Sequence, residues 1–267
     1  MSFRLRWKRP LPEEFRRIGV ELAEATLEHL RGGDVHQTRR AIKEMRALLA
    51  FAKGDPDAPG LALRFRDVAR AISAQRDEEI CRTALSRLEK EPESPPASIF
   101  DKARAFLKKR VIPAPDHAGL LSQLEAGRAE LEAWHPRIGR KLLRRALKRS
   151  YRRCQRALEG ATTEEGLHRL RRRLKQLWAQ LRLVRKDRPK VVKKRIRKAD
   201  EIAELLGLEH DLAVLQTRLG RSEAANALTP VIRLRRETLQ KASLVKARRF
   251  LRKKPKAFFG KILRITA

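Results

Sequence analysis

In the stretch VHQTRRAIKEMRALLAF, residues 35–51, the apolar positions Val35, Ile42, Met45 and Leu49 return at helical intervals. At about 100° per residue they form one stripe, which needs a core to cover it. Similar periodic segments run at roughly 13–31, 34–53, 61–90, 97–111, 117–134, 137–159, 163–187, 189–219 and 222–252. Ala, Leu, Arg, Lys and Glu dominate them, and the period-two alternation of a half-buried strand is almost absent. Glycine and proline fall between the segments, in GG at 32–33, GDPDAPG at 54–60, EPESPP at 91–96, VIPAPD at 111–116, HP at 135–136 and EGATTEEG at 159–166. Those residues end helices. The pattern predicts an all-α protein.

The side of 35–51 opposite the apolar stripe carries His36, Arg39, Arg40, Lys43 and Arg46, answered only by Glu44. Shifted forward by 132 positions, the same arrangement reappears in LHRLRRRLKQLWAQLRL, residues 167–183. His36 falls on His168, Arg39 on Arg171, Arg40 on Arg172 and Lys43 on Lys175, while the apolar set falls on Leu167, Leu174, Leu177 and Leu181. Arg46 breaks the match, since its counterpart is Trp178, and Arg182 extends the second basic face. With an offset of 134, QRDEEI at 75–80 aligns with EHDLAV at 209–214, pairing Asp77 with Asp211. Pro96 and Pro230 keep that offset, and each is expected to open a later helical segment. A duplicated helical unit assembles naturally as two bundles about a pseudo-twofold axis.

A solvated helix face normally mixes signs, because like charges at i and i+4 destabilise a helix. Here Arg39 stands over Lys43 and Arg171 over Lys175, in both units, which points to a ligand-binding face. The whole chain agrees: 65 Lys and Arg against 32 Asp and Glu leave a formal charge of +33. Solubility needs roughly 2–8 net charges, so this excess calls for a polyanion. Nucleic acid, an anionic membrane surface and inorganic polyphosphate are the candidates. Aromatic residues make up only 5% of the chain, with Trp178 the sole one near either basic face. Single-strand nucleic-acid sites stack bases on aromatic rings, whereas a chain of phosphates needs only forked Arg contacts and Lys point charges. Duplex DNA stays open through phosphate contacts alone.

A further basic row, Arg140, Arg144, Lys148 and Arg152 at four-residue steps, is expected either to face the 168–182 helix or to look outward. The run 190–198 and the RKKPK tail read as peripheral attractors. Cys81 and Cys154 stand apart from any CxxC or Cys/His cluster, which suggests a reducing, cytoplasmic setting and no disulfide scaffold. No apolar run approaches the ~18 residues of a membrane span, and no signal peptide is visible. His36 and His168 lack a companion at metal-ligand spacing, and HExxH, Walker and Gly-rich loop patterns are absent. The reading is therefore a binding protein with no cofactor and no metal; a histidine-dependent phosphohydrolase or metal protein is the lesser alternative.

HxxRRxxKxxR at 36–46, HxxRRxxK at 168–175, the Arg76–Asp77 pair and LLGLEHD at 205–211, which holds His210 and Asp211, resemble the CHAD family, the conserved histidine α-helical domain. The resemblance spans nearly the whole chain. It implies two four-helix bundles related by pseudo-twofold symmetry, with a basic central channel that binds inorganic polyphosphate, and an association with polyphosphate granules. Residues 13–111 would be the first repeat, 112–136 a connecting helix region, 137–252 the second repeat and 253–267 a basic end of one domain, 1–267. The ExExK strand signature of the CYTH domain that accompanies many relatives is missing here, so the chain resembles a stand-alone CHAD protein.

Overall fold

The computed structural model describes residues 3–91, 93–108, 115–185 and 190–265, with the side chains of 74–76 and 261–265 outside the description. Eleven α-helices and no strand occur among the described residues. They are α1 (Leu11–Arg31), α2 (Val35–Leu49), α3 (Ala58–Ala71), α4 (Ser73–Leu88), α5 (Ala97–Lys108), α6 (His117–Ala133), α7 (Arg140–Glu159), α8 (Glu164–Leu183), α9 (Lys190–Leu219), α10 (Glu223–Leu251) and α11 (Pro255–Ile265). The all-α expectation holds.

The two helices that carry the repeated basic pattern start on side-chain caps. Asp34 accepts from the backbone N–H of Gln37 at 2.9 Å, and Thr163 accepts from that of Gly166 at 3.1 Å. Each cap satisfies one of the orphan donors of a first helical turn. The α7–α8 turn is so tight that a Cβ on Gly166 would sit 1.9 Å from the carbonyl oxygen of Gly160, so only glycine fits.

Two cores hold the helices. The larger joins the apolar faces of α1, α2, α3, α6, α7 and α8, the first half of α9, the end of α10 and α11. The smaller joins α4, α5, the second half of α9 and most of α10. The predicted stripes feed the larger core: Ile42, Met45, Leu174 and Leu177 are all buried in it. Asp55, in the α2–α3 loop, ties this core to the end of α6, accepting from Trp134 Nε1 and from the backbone N–H of Arg137, both at 2.9 Å.

Three local expectations change. The segment 61–90, expected as one helix, breaks at Ile72 (φ −91°, ψ 12°), which is fully buried. The break lets α3 serve the larger core and α4 the smaller one. Neither glycine nor proline marks it. Pro230 does not open a helix; α10 runs through it, giving up one backbone bond. The C-terminal end is also more than a basic tail, because Phe258 and Phe259 are buried with their rings 4.2 and 5.7 Å from that of Tyr151.

Candidate functional site

Helix α2 packs against α1, α3 and α8, so its basic face lies where α3 and α8 approach. His36, Arg40, Lys43 and Arg46 are exposed, and Arg39 is half-buried. Arg39 Nη1 donates to the carbonyl of Ala69 at 2.8 Å, capping one of the orphan carbonyls in the last turn of α3. That bond sets the basic face of α2 beside the end of α3. Arg46 there comes within electrostatic reach of Arg172, Arg66 and Arg70; desolvation first, and then these three like charges, push its pKa down. Asp67 pairs with two of these cations, 2.9 Å from Arg66 and 3.9 Å from Arg70.

On α8, His168 is half-buried with its ring 4.4 Å from that of His210 on α9. Its Nδ1 is buried and has no hydrogen-bond partner among the described residues. Burial, then the charges of Arg172 and Arg171, depress its pKa, with Glu164 pulling weakly the other way. Arg171 lies against α9 at Gly207, where an added Cβ would stand 3.3 Å from its guanidinium. The glycine of LLGLEHD thus leaves room for an arginine of the motif.

Further along α8 the cations are paired. Lys175 donates to Glu204 and, at 3.3 Å, to Asp200, two acids one turn apart on α9. Burial raises the pKa of Glu204, but the hydrogen bond from Lys175 and the charges of Lys175, Arg171 and Lys43 outweigh it and hold the carboxyl low. Arg182 makes a short ion pair with Glu44 of α2, which is only 7% exposed and also lies 3.8 Å from Arg40. The guanidinium of Arg182 covers Trp178, 4.6 Å from its ring centre, and stands 5.7 Å from Phe3. The position where Trp178 replaces a basic residue is thereby covered by a cation from the next turn.

Of the α7 row, Arg140 and Arg152 are exposed and Arg144 and Lys148 half-buried. Arg153, on another side of α7, acts on Arg173 of α8. In the Arg76–Asp77 pair the Arg76 side chain lies outside the described residues. Asp77 pairs with Arg218 of α9 at 3.4 Å. Asp77 and Asp211 both act on the Cys81 thiol, whose pKa burial pushes up to about 11. No group of three or more His, Cys, Asp or Glu residues suited to a metal occurs among the described residues.

Sequence reasoning gave no place in the site to the acids Glu44, Asp200 and Glu204, to the cations Arg66 and Arg70, or to Phe3. Asp200/Glu204 and Arg66/Arg70 each stand four apart on one helix face, a signal that was there to read. Which basic face they meet depends on how the helices cross.

No described helix is long and apolar enough to cross a membrane. No curated protein matches the chain by sequence. The family model for the CHAD domain matches residues 6–220, a span that runs from α1 through α9 and includes both basic motif helices. The chain therefore belongs to the CHAD domain family.

Proposed function

We propose that the protein binds inorganic polyphosphate on the joint basic face of α2, α8 and their neighbours, as a binding module rather than an enzyme. One observation carries the reading: Arg46 of the first motif lies within electrostatic reach of Arg172 of the second, which supports the two motifs facing one ligand. The matching helices α2 and α8 meet through the Glu44–Arg182 ion pair, and Arg46 lies within electrostatic reach of Arg172. Contact between the two matching helices supports a pseudo-twofold pair of four-helix bundles, with 13–111 and 137–252 as the repeats of a single domain. His36, Arg39, Arg40, Lys43, Arg46, His168, Arg171, Arg172, Lys175 and Arg182 are the contact residues of this site. The row Arg140, Arg144, Lys148 and Arg152 adds positive potential at its edge, and His210 and Asp77/Asp211 support it from α9 and α4. Residence at polyphosphate granules follows from the same chemistry. Each Arg offers a fork of donors to phosphate oxygens, and Arg182 covers the Trp178 ring that would otherwise offer a stacking surface for bases. Non-specific nucleic-acid binding is the second reading, favoured by the net charge alone.

The deciding test is competition. Long-chain polyphosphate is expected to displace the protein from duplex DNA at equal phosphate concentration; retention on DNA would overturn the polyphosphate reading. Incubation with polyphosphate should release no free phosphate. Binding by about six cations should make log affinity fall with log salt at a slope near −4 to −5, because each contact releases ~0.7–0.9 counterion. A flat response from low to physiological salt would place the site elsewhere.

His168 adds a pH dependence. Its depressed pKa keeps the ring neutral in the free protein near pH 7. A phosphate alongside stabilises the charged ring and raises the pKa, so binding takes up a proton. The gain in affinity is complete below the free-state pKa and is lost as pH rises through the bound-state one. Glu204, held below its ordinary range, stays charged throughout this window. Titration calorimetry between about pH 7.5 and pH 5.5 should show tighter binding at the lower value. His168→Gln should remove that part of the pH dependence which the parent shows beyond the ligand's own titration; an unchanged profile would free His168 of the role.

A further inference from the structure

Helix α9 lays acids along the second motif. Lys175 of α8 donates to Glu204 at 2.5 Å and to Asp200 at 3.3 Å. Gly207, less than one turn beyond Glu204, stands against the guanidinium of Arg171, so both motif cations lie along one side of α9. Lys43 of α2 and Arg171 also act on the Glu204 carboxylate, so cations of both motifs converge on this acid.

Two further observations separate Glu204 from Glu44, the acid that meets Arg182. The Glu44 side chain is 10% exposed, whereas that of Glu204 is 66% exposed and can turn into water without opening a helix contact. The offset of 134 that aligns Asp77 with Asp211 also sets Arg66 on Asp200 and Arg70 on Glu204. The duplicated unit therefore does not need an acid at that position.

We propose that Glu204 is an internal counter-ion for one phosphate position, among Lys43, Arg171 and Lys175: its carboxylate holds that position in the free protein and yields it to a phosphate of the bound chain. This inference rests on the polyphosphate reading and names a residue that sets the strength of binding without donating to the ligand. A carboxylate and a phosphate make the same demand on Lys and Arg, charged oxygens that accept from N–H donors. A phosphate that reaches Lys175 must therefore exchange with Glu204. The pair is exposed on the carboxylate side, and ion pairs of that kind are weak enough to exchange. Once displaced, the carboxylate stays on α9 beside the phosphates and repels them. Removing its charge should abolish both costs while every cation stays in place.

The test titrates long-chain polyphosphate at low salt into the full chain, the Glu204→Gln variant and the Glu125→Gln variant. The second makes the same change of charge on α6, where Glu125 pairs with Arg31 of α1, outside the motif helices and α9. Both side chains are more than half exposed, and thermal unfolding checks that each variant is folded. Glu204→Gln should tighten binding by about fivefold, since a unit charge ~4 Å away counts for that much even in water. Glu125→Gln should stay within about twofold of the parent, because salt and water screen a distant charge. In the parent, the assigned carboxyl carbon-13 signal of Glu204 should move when polyphosphate is added. A Glu204→Gln affinity no better than the parent's overturns the inference while polyphosphate binding stands. Equal tightening by Glu125→Gln does the same, as does a Glu204 signal unmoved by saturating ligand. A parent that fails to bind polyphosphate removes the functional reading and the inference together.

Discussion

Replacing Arg39, Arg40 and Lys43 together by glutamine is expected to weaken long-chain polyphosphate binding by about a hundredfold or more, and so is replacing Arg171, Arg172 and Lys175. A hydrogen bond between a charged donor and phosphate contributes about 1.5–3 kcal/mol, and about 1.4 kcal/mol is tenfold in affinity. Three such contacts sum to more than a hundredfold even after the discount for partners already present. Arg39 keeps one donor on Ala69, and Lys175 sits between Asp200 and Glu204, so neither contributes in full. The loss should nonetheless be severe in both variants, because one chain spanning both motifs forfeits effective concentration along with direct contacts. Titration with long and short chains, on variants shown by thermal unfolding to be intact, is the measurement. If either triple variant binds long chains as tightly as the parent, the two motifs do not share a ligand.

The second large effect is on stability. Leu174→Ala should cost about 2–5 kcal/mol, since the side chain is fully buried in the larger core and its loss leaves a cavity that close-packed neighbours fill only in part. For a chain of this size that lowers the melting temperature by roughly 5–15 °C. Ile42→Ala, 1% exposed on the matching stripe of α2, should behave alike. The folded fraction of each variant should still bind polyphosphate, because no basic residue has been touched. Arg40→Ala is the control: its side chain is 54% exposed and its partner Glu44 is 3.8 Å away, so the change should stay within about 0.5 kcal/mol. A melting temperature unmoved by Leu174→Ala would mean that the stripe does not face the core.

These two experiments divide along the line between what one helix can announce about itself and what its neighbours impose. The apolar stripe of α2 and the basic set opposite it are both consequences of the helical period. Ile42 and Lys43 are assigned to their sides by angle alone, with no tertiary information. The recurrence of the His/Arg/Lys pattern at 168–175 was legible for the same reason, as was the use of glycine and proline to end helices. Gly166 shows the local rule at its strictest, because the α7–α8 turn leaves no space for a side chain.

Charge balance at the site was a different matter. Glu44 was visible as the one acid on its helix, yet its place 138 residues from Arg182 in the chain carried no hint that the two would form a partly buried pair. Asp200 and Glu204 look like ordinary acids of a solvated face until α9 sets them over Lys175. Arg66 and Arg70 look like ordinary cations until α3 sets them beside Arg46. Ile72 breaks a helix without a breaking residue, because two cores draw on the helices to either side of it. Phe258 and Phe259 leave a basic tail for the core because Tyr151 offers them a buried surface. A helix's own sequence sets the angles between its side chains, and it says nothing of the crossing that brings a second helix's charge within a few ångströms. The strength of an ion pair or of a repulsion depends on that distance and on the water excluded there. The face was therefore readable from the sequence as basic, while the acids that offset it and the cations of α3 that extend it are brought in by the crossing of α2, α3, α8 and α9.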